Sequence, residues 1–162
     1  MSGRRRWIVA AVGLIVVLVL VLVLARACRS DDDKPSGEID AAAVVGYWQG
    51  DWGRLVLQQT DDGEIRGVYD HDRGTVVGRI ESSQFQGWWC EAPSRLPTAD
   101  AGLVEFDFQQ APDGLSFDGR WKYGTDEAWR EDWDLREVHE APPQELTDRF
   151  SDEASFCPRP TG

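Results

Sequence analysis

Three groups of residues in this chain have side chains that could do chemistry: a histidine between two aspartates, a set of tryptophans, and a pair of cysteines. Asp70, His71 and Asp72 offer two carboxylates and an imidazole, which are ligands for a metal ion and groups for proton transfer. They also stand where a strand is predicted to end in a polar turn, and such residues are common in turns. We therefore expect no metal centre and no catalytic residue in this triplet.

The chain also lacks the motifs of well-known active sites. It has no Gly-x-Ser-x-Gly, no His-Glu-x-x-His and no phosphate-binding loop. An enzyme would need a buried carboxylate or histidine in a cleft, which the sequence alone does not reveal. We expect a non-enzymatic protein without a cofactor.

Seven of the eight tryptophans lie beyond residue 45. Indole rings can line an apolar ligand pocket or a sugar-stacking face, and equally they can fill a small barrel and seal its ends. Trp88 and Trp89 are adjacent in a predicted strand, so one of them points outside and would mark a contact surface. The candidate ligand-binding residues are Trp48, Tyr69, Trp89, Trp121 and Trp133.

Two of the three cysteines, Cys90 and Cys157, fall in the main part of the chain, while Cys28 lies at the edge of an apolar segment. In an oxidising compartment an even pair predicts a disulfide. Two free buried thiols are the alternative. Metal binding is disfavoured, because no nearby histidine completes a ligand set.

The N-terminal segment resembles a membrane anchor. Arg4, Arg5 and Arg6 precede 18 uncharged residues, 8–25, which as a helix would extend roughly 27 Å. The positive charge on its N-terminal side favours a cytoplasmic N-terminus. We predict a transmembrane signal anchor over residues 1–29 and an acidic, flexible tether over residues 30–40.

Two other interpretations of this segment stay open. Ala25-Arg26-Ala27 has the shape of a signal-peptidase site, so the protein could be secreted after cleavage at Ala27. Cys28 could instead be the lipidated cysteine of a lipoprotein. All three interpretations place the rest of the chain outside the cytoplasm.

Charge is divided unevenly along the chain. Residues 31–162 hold all 29 acidic residues against 12 basic ones, a formal charge of −17. A surface this acidic repels the phosphates of DNA, RNA and anionic lipids, so we expect no nucleic-acid partner. It favours cationic partners or divalent ions, or it simply keeps the protein soluble. The lysine-poor, alanine-rich composition is typical of bacteria with GC-rich genomes.

A repeated motif indicates the β-strands that must position these residues. It consists of glycine, any residue, and then Trp or Tyr. It begins at Gly46, Gly67, Gly87 and Gly119, at intervals of 21, 20 and 32 residues. An interval near 20 is about the length of one β-hairpin with its turns. Together with period-two alternation, it predicts eight strands. They cover residues 45–49, 54–59, 64–70, 75–81, 84–91, 103–110, 115–123 and 128–137.

Eight consecutive antiparallel strands leave two unpaired edges unless the sheet closes. We therefore predict an all-β protein with an eight-stranded up-and-down barrel over residues 41–139, with a two-sheet sandwich as the alternative. Pro142 and Pro143 precede an amphipathic stretch, which predicts a short C-terminal helix in a tail over residues 140–162.

The order of these motifs resembles the avidin and streptavidin barrels, and more loosely the lipocalins. The resemblance covers residues 45–137 and implies architecture. Avidins place polar groups for the biotin ureido after the first Trp and after the Gly-x-Tyr tyrosine, where this chain has Gly50, Arg54 and His71. The resemblance therefore implies the fold and not biotin binding.

These patterns together predict a membrane-tethered, extracytoplasmic barrel that binds a small apolar ligand, a glycan or a protein partner in the cell envelope. The alternative is an accessory subunit of an envelope complex, with a filled barrel that serves for docking. A pocket of several hundred Å³ would favour ligand binding, and a packed interior would favour docking.

Overall fold

The computed structural model describes residues 38–157. Eight antiparallel strands each pair with the next in sequence, and the last pairs with the first, so the sheet closes into a barrel. This confirms the predicted barrel against the sandwich. The strands are β1 (Gly46–Gly50), β2 (Gly53–Gln59), β3 (Ile65–Tyr69), β4 (Thr75–Glu81), β5 (Gln84–Cys90), β6 (Ala101–Ala111), β7 (Gly114–Tyr123) and β8 (Leu135–Val138).

The barrel interior is packed by aromatic side chains, because alternate residues of each strand point inward. On β6 and β7 the inward residues Phe106 and Phe117 are fully buried, whereas their neighbour Asp118 is exposed. The rings of Phe106 and Phe117 stack with centroids 4.3 Å apart, and Phe85 stacks on Phe106 at 5.2 Å. Trp48 closes this cluster against Phe117 at 5.1 Å.

One end of the barrel is sealed by the chain that leads into β1. Asp40 caps a single 3₁₀ turn, Ala41–Val44, by accepting a hydrogen bond from the amide of Ala42 at 3.1 Å. The amide of Ile39 donates to Ser83 Oγ at 2.7 Å, and its side chain packs on the core. The last residues of the predicted tether therefore belong to the barrel.

The predicted anchor over residues 1–29 lies outside the described residues, as does most of the tether. Within residues 38–157, no helix has the length and apolar character needed to cross a bilayer.

The predicted eighth strand over residues 128–137 was wrong in its first half. β8 begins only at Leu135, and before it Arg130 forms a single bridge with Trp121. Trp129 and Trp133 would share one face of a regular strand. Trp129 instead lies outside, under Arg120 at 4.8 Å, while Trp133 is buried in the core, so the strand cannot be continuous.

The C-terminal segment wraps the outside of the barrel. The predicted short helix is present as α1 (Gln144–Thr147), followed by 3₁₀ turns at Asp148–Ser151 and Glu153–Ser155. Leu146 and Phe156 bury their side chains against Val56 and Val68, which point outward from β2 and β3.

Polar and covalent contacts hold this segment in place. Arg149 donates to the carbonyl oxygens of Tyr69 at 2.7 Å and Gly74 at 2.8 Å. Cys90 and Cys157 form the predicted disulfide, with their sulfurs 2.04 Å apart. The tail is therefore attached to both β3 and β5.

Candidate functional site

The barrel has a concave opening at the end where the β1–β2, β3–β4 and β5–β6 turns meet the long β7–β8 link. We call this end the mouth. A cavity of about 140 Å³ lies there. Its wall is formed by Trp52, His71, Asp72, Trp89, Glu91, Ala99, Asp100, Trp121, Tyr123 and Trp133.

Two glycines let the backbone approach closely around the mouth. A Cβ on Gly119 would lie 2.2 Å from the carbonyl oxygen of Trp133, so the β7–β8 link can cross β7 only at a glycine. A Cβ on Gly74 would lie 1.9 Å from the ring of Tyr69. The absence of a side chain at these two positions leaves space for Trp133 and Tyr69 in the part of the core nearest the mouth.

The structure brings three of the five predicted ligand-binding residues to the cavity wall, namely Trp89, Trp121 and Trp133. Tyr69 lies in the core next to Trp133, with ring centroids 5.0 Å apart, and does not line the cavity. Trp48 packs far from the mouth, where its indole donates to the carbonyl oxygen of Val44 at 3.1 Å.

Trp88 is the outward member of the adjacent pair, but it does not provide an open contact surface. Its side chain is only 7% exposed, because it packs against Leu103, Cys157 and their neighbours on the outside of the barrel. The tryptophan that the sequence marked as a contact site is therefore covered by the other members of this cluster.

Three aromatic rings of the wall stand nearly at right angles to the ring of Trp121. Trp121 is at the centre: its ring meets Trp52 at 86°, Trp89 at 90° and Tyr123 at 85°. The centroid distances are 5.4, 5.3 and 5.3 Å. Edge-to-face contacts of this kind are favoured by the ring quadrupoles. They make corners, in which a compact group can contact two ring surfaces at once.

Hydrogen bonds to the protein fix three of the four indoles of the wall. Trp52 Nε1 donates to the carbonyl oxygen of Asp132 at 2.7 Å, and Trp121 Nε1 donates to the Asp132 carboxylate at 2.6 Å. Trp89 Nε1 donates to the carbonyl oxygen of Lys122 at 3.2 Å. These three donors are used inside the protein, so the rings present mainly their carbon surfaces to the cavity.

Carboxylates form the other part of the wall. Glu91, directly after β5, is 9% exposed, and its Oε1 accepts a hydrogen bond from the hydroxyl of Tyr69 at 2.7 Å. Burial raises the pKa of Glu91, an effect that the bond from Tyr69 partly offsets. Complete burial, followed by the charge of Glu91, raises the pKa of Tyr69 well above its ordinary value.

His71 and Asp72 lie next to Glu91. One possible ligand atom from each of these three side chains lies within 4.8 Å of the others, so the set could hold a metal ion. His71 and Asp72 are exposed, and the His71 ring packs on Trp52 with centroids 4.7 Å apart. Exposed groups of this kind are common without an ion, and we assign no metal to them.

Acidic residues also dominate the surroundings of the mouth. Asp51, Asp70 and Asp132 line the surface beside the cavity. Arg54 neutralises Asp70 through bonds of 2.8 and 2.9 Å. The described cavity wall contains no lysine or arginine, so its own side chains give it a negative field.

The sequence identified only some of the residues that form the cavity wall. His71 and Asp72 were assigned to a polar turn, and Trp52 to the general set of tryptophans. Glu91 and Asp100 were missed, because their place in the wall depends on strands that are distant in sequence. Comparisons with known protein families, curated proteins and solved structures found no match. A function for this chain is therefore argued from the geometry of the mouth.

Proposed function

We propose that this protein is a membrane-tethered, extracytoplasmic, non-enzymatic binding protein that holds a small ligand at the mouth of its barrel. One observation carries the proposal. Aromatic side chains fill the barrel below the mouth, and a cavity of about 140 Å³ with four tryptophans remains at the mouth itself. Indoles that only sealed this end would be expected to pack against one another without leaving a cavity between them.

The volume limits the ligand. A cavity of roughly 150 Å³ accepts a molecule of the size of benzene. The cavity of about 140 Å³ therefore suits a ligand, or the terminal group of one, with on the order of six heavy atoms. A lipid or a biotin-sized molecule would not be enclosed, which limits the resemblance to avidin to architecture. Arg54, at one of the avidin ligand positions, is held by Asp70 and Glu145.

Glu91 is the buried carboxylate that an enzyme would need, and it lies beside His71. The described wall offers no serine, threonine, cysteine or lysine as a nucleophile. Glu91 also shares its oxygen with Tyr69, whose proton is held tightly by its burial. We therefore assign Glu91 to binding.

The membrane tether rests on residues 1–29, which precede the described part of the chain. The Cys90–Cys157 disulfide supports a location outside the cytoplasm, because such bonds persist in oxidising compartments. Extraction of membranes at alkaline pH would test the anchor. An uncleaved chain should stay in the membrane pellet, whereas a chain cleaved at Ala27 should appear in the soluble fraction.

Docking in an envelope complex is the second candidate, and the packed interior favours it. In that case the mouth would hold a side chain of a partner protein, and the barrel would serve as a rigid platform.

Native mass spectrometry on the full chain, released from a nonionic detergent, tests ligand binding at the mouth. Ala99 is exposed and lines the cavity, so Ala99→Trp should fill it. Ala42→Trp is the matched control, since Ala42 is an exposed alanine at the sealed end. We expect a small non-covalent adduct on the wild type and the control, and none on Ala99→Trp. Bare masses throughout would favour docking over ligand binding.

A further inference from the structure

We propose that the ligand of the mouth is a small organic cation, a compact ammonium group surrounded by the tryptophan rings and balanced by Glu91 and Asp72. This inference rests on the proposed function, that the cavity binds a ligand, and it names the chemical class.

The rings supply the first argument. Trp52, Trp89 and Tyr123 each meet Trp121 at close to a right angle. A flat ligand such as a sugar prefers a single open ring face on which to stack. A compact, roughly spherical group fits a corner, where it contacts several ring surfaces. Ring faces carry negative potential and attract cations, most strongly for tryptophan.

The polar groups supply the second argument. The wall includes the carboxylates of Glu91, Asp72 and Asp100, while three of its indole N–H groups are already bonded within the protein. One oxygen of Glu91 accepts from Tyr69 and one oxygen of Asp100 accepts from Ser94, so each of these carboxylates has a second oxygen for a ligand. A neutral sugar needs both donors and acceptors from its site. This wall offers mainly acceptors and negative charge, so it matches a ligand that carries positive charge.

A cation of the chain itself supplies a third, independent observation. The guanidinium of Arg130 lies 4.7 Å from the centroid of the Trp121 ring and 4.8 Å from that of Tyr123. These two rings thus already bind a cation of the chain, which does not line the cavity itself, and the contacts of Trp121 with Trp52 and Trp89 remain for a ligand. Asp126 pairs with Arg130 at 2.9 Å and offsets its charge, so the field of the wall stays negative.

The acidic residues at the opening of the cavity, which we call the rim, distinguish between a free ammonium compound and a lipid headgroup as the ligand. Asp51, Asp72 and Asp132 lie at the opening, where a phosphate attached to the ligand would be repelled. The rim therefore favours a free ammonium compound over the phosphocholine headgroup of a lipid.

The test is titration calorimetry of choline into the full chain, in a nonionic detergent that carries neither sugar nor choline. The matched ligand is the uncharged analogue of choline, in which carbon replaces nitrogen. It has nearly the same shape without the charge. We expect choline to bind at least about tenfold more tightly than this analogue, since one desolvated cation–π contact is enough for that ratio. Phosphocholine and glucose should bind more weakly than choline.

Charge-removing variants locate the site. Glu91→Gln should weaken choline binding about tenfold, because it removes a charge from a buried position in the cavity wall. Asp72→Asn should weaken it only about twofold, because Asp72 is exposed and solvent screens its charge. Asp61→Asn is the control and should change nothing, as Asp61 is an exposed acid in the β2–β3 turn, away from the mouth. Far-UV circular dichroism of each variant would verify that the barrel is intact.

The outcomes separate the two proposals. If the neutral analogue or glucose binds as tightly as choline, the mouth binds ligands and the cationic class is wrong. If phosphocholine binds best, the cation belongs to a lipid headgroup, and the free ammonium is wrong. If none of the four binds, the inference fails. The search for an adduct by native mass spectrometry then decides whether the proposed function fails with it.

Discussion

Replacement of Glu91 by glutamine should make the protein more stable at neutral pH. The Glu91 side chain is 9% exposed, and its burial raises its pKa. The unfolded chain, with an ordinary carboxyl pKa of 4.5, therefore loses its proton at lower pH than the folded chain. Ionisation of this group thus favours unfolding. Glu91→Gln removes the charge and keeps an oxygen to accept the hydrogen bond from Tyr69.

The expected gain depends on pH. As the pH falls below the unfolded pKa of 4.5, Glu91 becomes protonated in both states, so the advantage that the variant gains from losing this charge should vanish. As the pH rises through the raised pKa of Glu91, the wild type should lose stability and the variant should not. Above that range we expect Glu91→Gln to be more stable by about 1 kcal/mol. This is the lower end of the cost of burying an imperfectly paired polar group, because Tyr69 supplies one bond.

Urea unfolding followed by tryptophan fluorescence would measure this difference between about pH 4 and pH 8. The charged neighbours of Glu91 are His71, Asp72 and Asp100, and their charges act on its carboxylate. The quantity to compare is therefore the difference between wild type and variant at each pH, measured again in a His71→Gln background. A variant that is less stable by the same amount at every pH would refute the reasoning. Glu91 would then be a net stabilising group.

Three further predictions test the fold around the mouth. Replacing Cys90 and Cys157 by serine should lower the free energy of unfolding by about 4 kcal/mol, since the disulfide spans 67 residues; urea unfolding would measure it, and an unchanged midpoint would contradict it. Arg149→Met should lower the free energy of unfolding by about 2 kcal/mol, because it removes the hydrogen bonds to Tyr69 and Gly74. In the same assay Arg149→Lys should restore less than half of this loss. Gly119→Ala should lower the free energy of unfolding by about 1–3 kcal/mol and reduce ligand affinity, because the new Cβ would lie 2.2 Å from the Trp133 carbonyl oxygen. If the variant keeps both the stability and the affinity of the wild type, the chain does not cross this closely at Gly119.

Much of the barrel could be predicted from local patterns. On β7, for example, the predicted alternation is present: Phe117 and Trp121 are buried on one side of the strand, and Asp118 is exposed on the other. A period of two is a property of the chain itself, and closure follows from the cost of exposed edges. The disulfide followed from a count of two cysteines. In each case a rule acting within one strand, or on the whole sheet, was sufficient.

The depth of a side chain in the barrel could not be predicted in this way. Trp48 and Trp89 both point inward, yet Trp48 packs in the closed core and Trp89 lines the mouth. Their depth depends on the stagger between strands, which the register of pairing decides. The prediction of a continuous strand over residues 128–137 was wrong for a similar reason. A single crossing at Gly119 interrupts the strand pattern and carries Trp133 inward.

Glu91 connects the stability of the mouth with its use. A carboxylate in this position costs free energy, and glutamine would satisfy Tyr69 as well. The charge therefore destabilises the protein without a ligand. Under the proposal above it becomes favourable, because the cation would lie among the rings of Trp52, Trp89 and Trp121 and pair with it. Places where a sequence accepts such a local cost are commonly functional. We therefore expect one substitution, Glu91→Gln, both to stabilise the barrel and to weaken binding of the proposed cation about tenfold.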